Sequence, residues 1–232
     1  DISAFPKLEG VIDAIYNPLR TNLILDAQER GIPAEGGLYM LSAQAVHASA
    51  VFRGIPLDES LVDKAFKSVK NDKQSIVLIG MPSSGKTTVG RILAEKCGKQ
   101  LADTDEYIVR KIGMPISDFF AKFGEAEFRK IEKETVAELS ATGGRIIATG
   151  GGAVLDPENV RALKQNGVLV FLDRRPENLV ATDDRPLASR RSALEKLYTE
   201  RYDIYCAAAE LHIDANTTPE AEADAILKEL AK

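Results

Sequence analysis

Tryptophan is absent from the 232 residues, and cysteine and histidine occur only twice each. Two cysteines as far apart as Cys97 and Cys206 build no disulfide framework. Such sparing use points to a reducing, cytoplasmic setting, with both thiols expected to serve as small buried hydrophobes. His47 and His212 have no neighbours that would form a catalytic or metal-binding cluster. No apolar run approaches the roughly 20 residues of a membrane span, so no membrane partner is expected. Basic blocks are missing too. With 35 Asp+Glu against 30 Lys+Arg the formal charge is −5. A mildly acidic chain does not bind nucleic acid through its general field, and any anionic ligand must be held by a local site. The chain opens on Asp1-Ile2-Ser3 without an initiator Met, so it is expected to be part of something longer.

What is present is ordinary for a folded protein: 44% hydrophobic and 28% charged residues. The length suits one large domain, or a medium domain with an attachment. The pattern divides near residue 73. Before it, residues 10–16 have the character of a strand, 22–30 and 39–52 of helices, and 58–69 of an amphipathic helix. The polar run Lys70-Asn71-Asp72-Lys73-Gln74 is expected to be a linker, placed at 71–74. After it, apolar strands at 75–79, 100–102, 145–148, 168–172 and 211–213 alternate with helices at 86–97, 104–140, 157–165, 191–209 and 219–230. That alternation predicts an α/β fold, a parallel sheet flanked by helices with right-handed crossovers.

The sharpest motif is Gly80-Met81-Pro82-Ser83-Ser84-Gly85-Lys86-Thr87, a complete G-x-x-x-x-G-K-[ST] phosphate loop with a strand before it and a helix after it. Its backbone N–H groups and the helix N-terminus suit a polyphosphate. Lys86 is expected to reach the β- and γ-phosphates and Thr87 to ligate Mg²⁺. Asp103-Thr104-Asp105 closes a short strand at the sheet edge where ligands bind. Its carboxylates could hold Mg²⁺ and an acceptor hydroxyl, or Thr104 or Asp105 could simply cap the next helix. Arg129 and Glu132 share a helix face, as an ion pair in a site or a solvated one. The bare backbone of Thr149-Gly150-Gly151-Gly152 lets a ligand approach closely. Asp183-Asp184-Arg185-Pro186-Leu187 has the character of a lid, with Arg185 closing over phosphates. Arg201 is a second candidate anion clamp, and for either arginine the alternative is a plain surface position.

As an ordered set, these motifs, with Phe128 beside Arg129 and Tyr205 after Arg201, resemble the shikimate kinases over residues 74–232. The resemblance implies a nucleoside monophosphate kinase-like P-loop fold and, on the pathway to chorismate and the aromatic amino acids, ATP-dependent phosphorylation of the 3-hydroxyl of shikimate. It implies an ATP site of residues 80–87 with Thr88 and Arg185, and Mg²⁺ at Thr87 and Asp103. Asp105 would hold the shikimate hydroxyls and serve as base. Arg129 and Arg201 would bind the carboxylate, Glu132 would orient Arg129, and Gly150-Gly151-Gly152 would line the ring. Lys86, Asp105 and Arg185 are the implied catalytic set. The stretch from Asn178 to Asp184 departs from the family in carrying no arginine to stack on adenine, leaving that packing to the region of Asp214, Asn216 and Pro219. The kinase is expected to be monomeric.

Residues 1–70 resemble instead the C-terminal end of shikimate dehydrogenase. Val11-Ile12-Asp13-Ala14-Ile15-Tyr16-Asn17-Pro18, Gly37-Leu38-Tyr39-Met40 and Gln44 carry that likeness. The glycine-rich nucleotide loop and the Lys/Asp pair of that family are not in this sequence, so no dehydrogenase activity is expected. The implied organisation is the tail of a bifunctional fusion, the alternative being a docking extension. For the kinase, the competing classes are a gluconate or nucleoside monophosphate kinase and a non-catalytic nucleotide-binding module.

Overall fold

The computed structural model describes residues 2–179 and 191–231, with the backbone alone for 191–193. The N-terminal part carries β1 (Val11–Ile12), α1 (Asn22–Glu29), β2 (Ala34–Glu35), α2 (Leu38–Arg53) and α3 (Ser60–Lys73). β1 and β2 pair in parallel. The strand expected over 10–16 stops after Ile12 because Asp13 turns the chain: its carboxylate accepts the Ile15 N–H at 2.9 Å and the Thr21 hydroxyl at 2.6 Å. The polar stretch expected to be a linker is helical through Lys73, leaving only Gln74 before the next strand. Its last turn is held from outside, since the Lys99 ammonium donates to the carbonyls of Asn71, Asp72 and Gln74 at 2.7, 3.1 and 3.1 Å.

The remainder runs β3 (Ser75–Ile79), α4 (Lys86–Cys97), β4 (Gln100–Asp103), α5 (Thr104–Ile112), α6 (Ile116–Ser140), β5 (Arg145–Ala148), α7 (Pro157–Asn166), β6 (Gly167–Asp173), α8 (Arg191–Ala208), β7 (Leu211–Asp214) and α9 (Pro219–Leu230). Five parallel strands form one sheet in the order β4-β5-β3-β6-β7. The near-continuous apolar strands are buried on both faces. Val77, Ile79, Leu169 and Phe171 point into a core shared with Val136, Leu163 and Tyr205. Ile76, Leu78, Val170 and Leu172 point into the opposite core with Val89, Leu93 and Ile226. Cys206 and Cys97 are half-buried at the margins of these two cores rather than fully inside. No helix among the described residues is long and apolar enough to cross a membrane.

The N-terminal part is docked on the sheet domain rather than tethered to it. Arg20 inserts its guanidinium among the Lys164 and Gly167 carbonyls and the Glu210 carboxylate. Arg161 on α7 donates to the Asn22 side chain and carbonyl and pairs with Asp26. Asn166 accepts the Leu19 N–H at 3.0 Å and donates to the Ser140 carbonyl at 3.1 Å.

Candidate active site

Strand register brings the motifs to one edge. Leu78 and Asp103 both pair with Ala148, so the phosphate loop, the Asp103-Thr104-Asp105 run and the glycine triplet leave the sheet side by side. They surround a cleft of about 840 Å³. Pro82, Ser83, Gly85, Lys86, Thr87, Thr88, Asp103, Asp105, Arg129, Glu132, Gly150, Gly151, Gly152 and Arg201 line it. Gly80, Met81 and Ser84, expected in the nucleotide site, lie buried behind the loop and shape it from within. Arg185 falls outside the described residues.

The loop is wound tightly enough that Ser83, a non-glycine residue, sits at φ 65°. Lys86, only 7% exposed, folds back to donate to the Gly80 and Met81 carbonyls at 2.9 and 2.8 Å. A cation over the mouth of a helix N-terminus is what a polyphosphate requires, and its bonds here hold the loop in the cradle shape. At the first turn of α4 the Thr87 hydroxyl meets the Asp103 carboxylate at 2.6 Å.

Asp103 does two jobs. One oxygen caps α5, accepting the N–H of Asp105 at 3.0 Å and of Glu106 at 3.4 Å, while the other takes Thr87. The cap is therefore Asp103 itself, not Thr104 or Asp105, and capping and cleft roles coexist. Thr104 is instead buried with its hydroxyl accepting the Gly150 N–H at 2.8 Å. That bond spends the Gly150 N–H, while among the described residues those of Gly151 and Gly152 donate no hydrogen bond.

α6 leaves helical geometry at Gly124 (φ 81°, ψ 173°), and a fresh helix begins at the bend. Glu125, Arg129 and Glu132 share one face of it at spacings of four and three. Arg129 donates to Glu132 at 2.7 Å and, through two nitrogens, to Glu125 at 2.8 and 3.2 Å. Glu132 is only 2% exposed. Burial pushes its carboxyl above the usual range, with Arg129 pulling back and Asp105 pushing further. A carboxylate this buried is no solvated surface partner. It fixes the guanidinium over the cleft, leaning on the Phe128 ring 5.6 Å away.

The glycines are packed to their backbones. A Cβ at Gly152 would lie 2.3 Å from Arg129 Nη1, and one at Gly150 would lie 2.7 Å from the Asp105 carboxylate. The Gly151 carbonyl is clamped from behind by the Tyr205 hydroxyl and by Arg201 at 3.2 Å. Tyr205 is fully buried, stacks on Phe171 at 5.2 Å, and is pushed up to about 12 by burial, so it stays a donor. Sequence reasoning missed Glu125, which the i,i+4 spacing to Arg129 could have flagged, Thr104 as an anchor, and the apolar wall of Val109, Ile116 and Phe120, which only the tertiary fold brings to the cleft.

A phosphate loop at the head of a parallel sheet, facing two carboxylates and a fixed arginine, defines a P-loop kinase. More particularly, the chain belongs to the shikimate kinase family, a family of phosphotransferases, whose model matches residues 82–231. The shikimate kinase of Moorella thermoacetica is 40% identical over 161 residues, 67% of this chain and 91% of that protein. The shikimate kinase of Thermodesulfovibrio yellowstonii is 40% identical over 165 residues, 67% of this chain and 94% of that protein. Among solved structures, the Acinetobacter baumannii shikimate kinase in complex with shikimate superposes with a TM-score of 0.67 at 34% identity, over 71% of this chain and 97% of that one.

Proposed function

We propose that this chain transfers the γ-phosphoryl group of ATP to the 3-hydroxyl of shikimate, giving 3-phosphoshikimate and ADP. The observation that carries this reading is the Arg129–Glu132 pair in the P-loop cleft: a guanidinium fixed by a buried carboxylate, with Arg201 close by, matches an acceptor that carries a carboxylate. Lys86 and the loop N–H groups take the phosphates. The Thr87 hydroxyl and the Asp103 carboxylate, joined at 2.6 Å, are hard oxygen donors that would hold Mg²⁺. When bound, Mg²⁺ neutralises charge on the phosphates. Asp105, half-buried beside Gly150, takes the acceptor hydroxyl and its proton. The Gly151 and Gly152 N–H groups line the acceptor, and the clamp on the Gly151 carbonyl fixes the peptide plane that carries the Gly152 N–H. Arg185 completes the set as the lid arginine. Phosphoryl transfer asks for little beyond such positioning and charge neutralisation. A coupled assay tests the reading: ADP release should require shikimate. Release that requires gluconate or a nucleoside monophosphate instead overturns it, and ATP binding without turnover makes the chain a non-catalytic module.

We also propose that residues 1–70 are the C-terminal part of a shikimate dehydrogenase fused ahead of a kinase domain at 75–232, in a cytoplasmic multifunctional protein whose kinase part is monomeric. The likeness of the stretches around Tyr16, Met40 and Gln44 supports this, and all three residues are exposed. This chain should give no shikimate-dependent NADP reduction, and measurable reduction would refute the assignment of an incomplete enzyme.

A further inference from the structure

Arg174 stands directly after β6, across the sheet edge from the phosphate loop, and none of the motifs accounts for it. Two of its nitrogens are pinned. Nε donates to the Ala215 carbonyl at 2.6 Å, and Nη2 to Glu222 at 3.2 Å. Glu222 lies on α9, only 1% exposed, and its Oε2 has no hydrogen-bond partner among the described residues. A buried carboxylate is costly, and its partner here is a guanidinium that stays 21% exposed. The third nitrogen, Nη1, donates no hydrogen bond among the described residues and faces the loop, 4.0 Å from where a Cβ would stand on Gly85.

Gly85 is the N-cap of α4, so this nitrogen is aimed at the positive end of that helix, beside Lys86. The N-terminus of α4 favours an anion at this turn, and the Nη1 edge, turned from Ala215 and Glu222 toward Gly85, adds a charged donor to it. We propose that Arg174 is a nucleotide-binding residue, its Nη1 edge contacting the phosphate chain of the nucleotide in the P-loop, with Glu222 as the positioning residue that aims it. The inference rests on the ATP reading of the loop, but not on which acceptor is phosphorylated.

The test is calorimetric titration of the intact chain with Mg²⁺–ADP and, separately, with inorganic tripolyphosphate. Arg174→Gln keeps a donor for Ala215 and removes the charge. It should weaken both ligands about tenfold, equivalent to about 1.4 kcal/mol. It should raise KM for ATP by a similar factor and leave KM for shikimate unchanged. Arg174→Lys should recover most of the loss. If Arg174→Gln fails to fold, the pair Arg174→Met with Glu222→Leu strands no buried carboxylate and should show the same weakening. Unchanged affinity for ADP in either folded variant overturns the proposal. Weaker ADP with unchanged tripolyphosphate also overturns it, moving the contact to the ribose or base. Absence of shikimate phosphorylation with the tenfold effect intact would refute the acceptor assignment alone.

Discussion

Lys86 and Arg129 are both cations in one cleft, yet they should fail differently when removed. Lys86 is tied into the phosphate loop, and under the proposed reading its work is done mainly in the transition state. Lys86→Ala should lower kcat by about 10²–10³, the usual cost of removing one such electrostatic group, with the fold retained by circular dichroism. Arg129 sits among Glu125, Glu132 and Gly152, outside the phosphate loop. Arg129→Lys keeps the charge but loses the planar fork, so KM for shikimate should rise about tenfold or more while KM for ATP stays put. Equal losses for both substrates in steady-state kinetics would disprove the carboxylate clamp. Glu132 gives a pH test. Its folded pKa is raised above the unfolded value, mainly by burial, so the folded state holds the proton more tightly. Its contribution is therefore fully present below the unfolded value near 4.5 and is lost as pH rises through the folded value. Urea titrations between pH 4 and 8 should show Glu132→Gln gaining relative to the parent as pH rises across that window. A constant difference would mean that Glu132 is not buried in solution.

At the scale of elements, the joint between α3 and the sheet domain depends on Gly143. A Cβ there would lie 1.8 Å from the Lys73 carbonyl oxygen, with Asn166 on the other side. Gly143→Ala must push α3 or the β5 approach aside. It should cost roughly 1–3 kcal/mol by urea denaturation, with both KM values unchanged. This joint was not legible in the sequence, where a run of five polar residues carries the same signature as a linker. Whether such a run is helical is decided by a capping group 25 residues away, the Lys99 ammonium on the Gln74 carbonyl. The elements that were legible are those whose signals are local. α4 keeps its expected bounds between the phosphate loop and Gly98, and α9 begins at Pro219 with Thr218 as its cap, because stop and start residues adjoin apolar periods. In the site, the phosphate loop was readable for the same reason. The Val109–Ile116–Phe120 wall was not, since only the packing of α5 and α6 brings it to the cleft, and Thr104 meets Gly150 only through strand register.

On the scale of the whole molecule, the two parts are joined by charge-assisted hydrogen bonds beside the buried face of α1. Arg20 reaches two carbonyls at the α7–β6 junction and Glu210 before β7, so one side chain spans the N-terminal part and two edges of the sheet domain. The α7 helix that it touches is also tied toward the substrate side, since Asn159 donates to the Ala153 carbonyl just after the glycine triplet. Two readings of the docking differ in what they predict. If the N-terminal part only rides on the kinase, Arg20→Ala should lower stability and nothing else. If it holds α7 and through it the triplet, KM for shikimate should rise as well. The first is favoured by the packing: the triplet is clamped from behind by Tyr205, Arg201 and Thr104, none of which contacts the N-terminal part through a described hydrogen bond. Arg20→Ala should therefore cost about 1.5–3 kcal/mol, the range for hydrogen bonds to charged groups, read by thermal and urea unfolding, with KM for shikimate within about twofold of the parent. A rise in that KM well beyond twofold would mean that the docked N-terminal part sets the geometry of the kinase cleft.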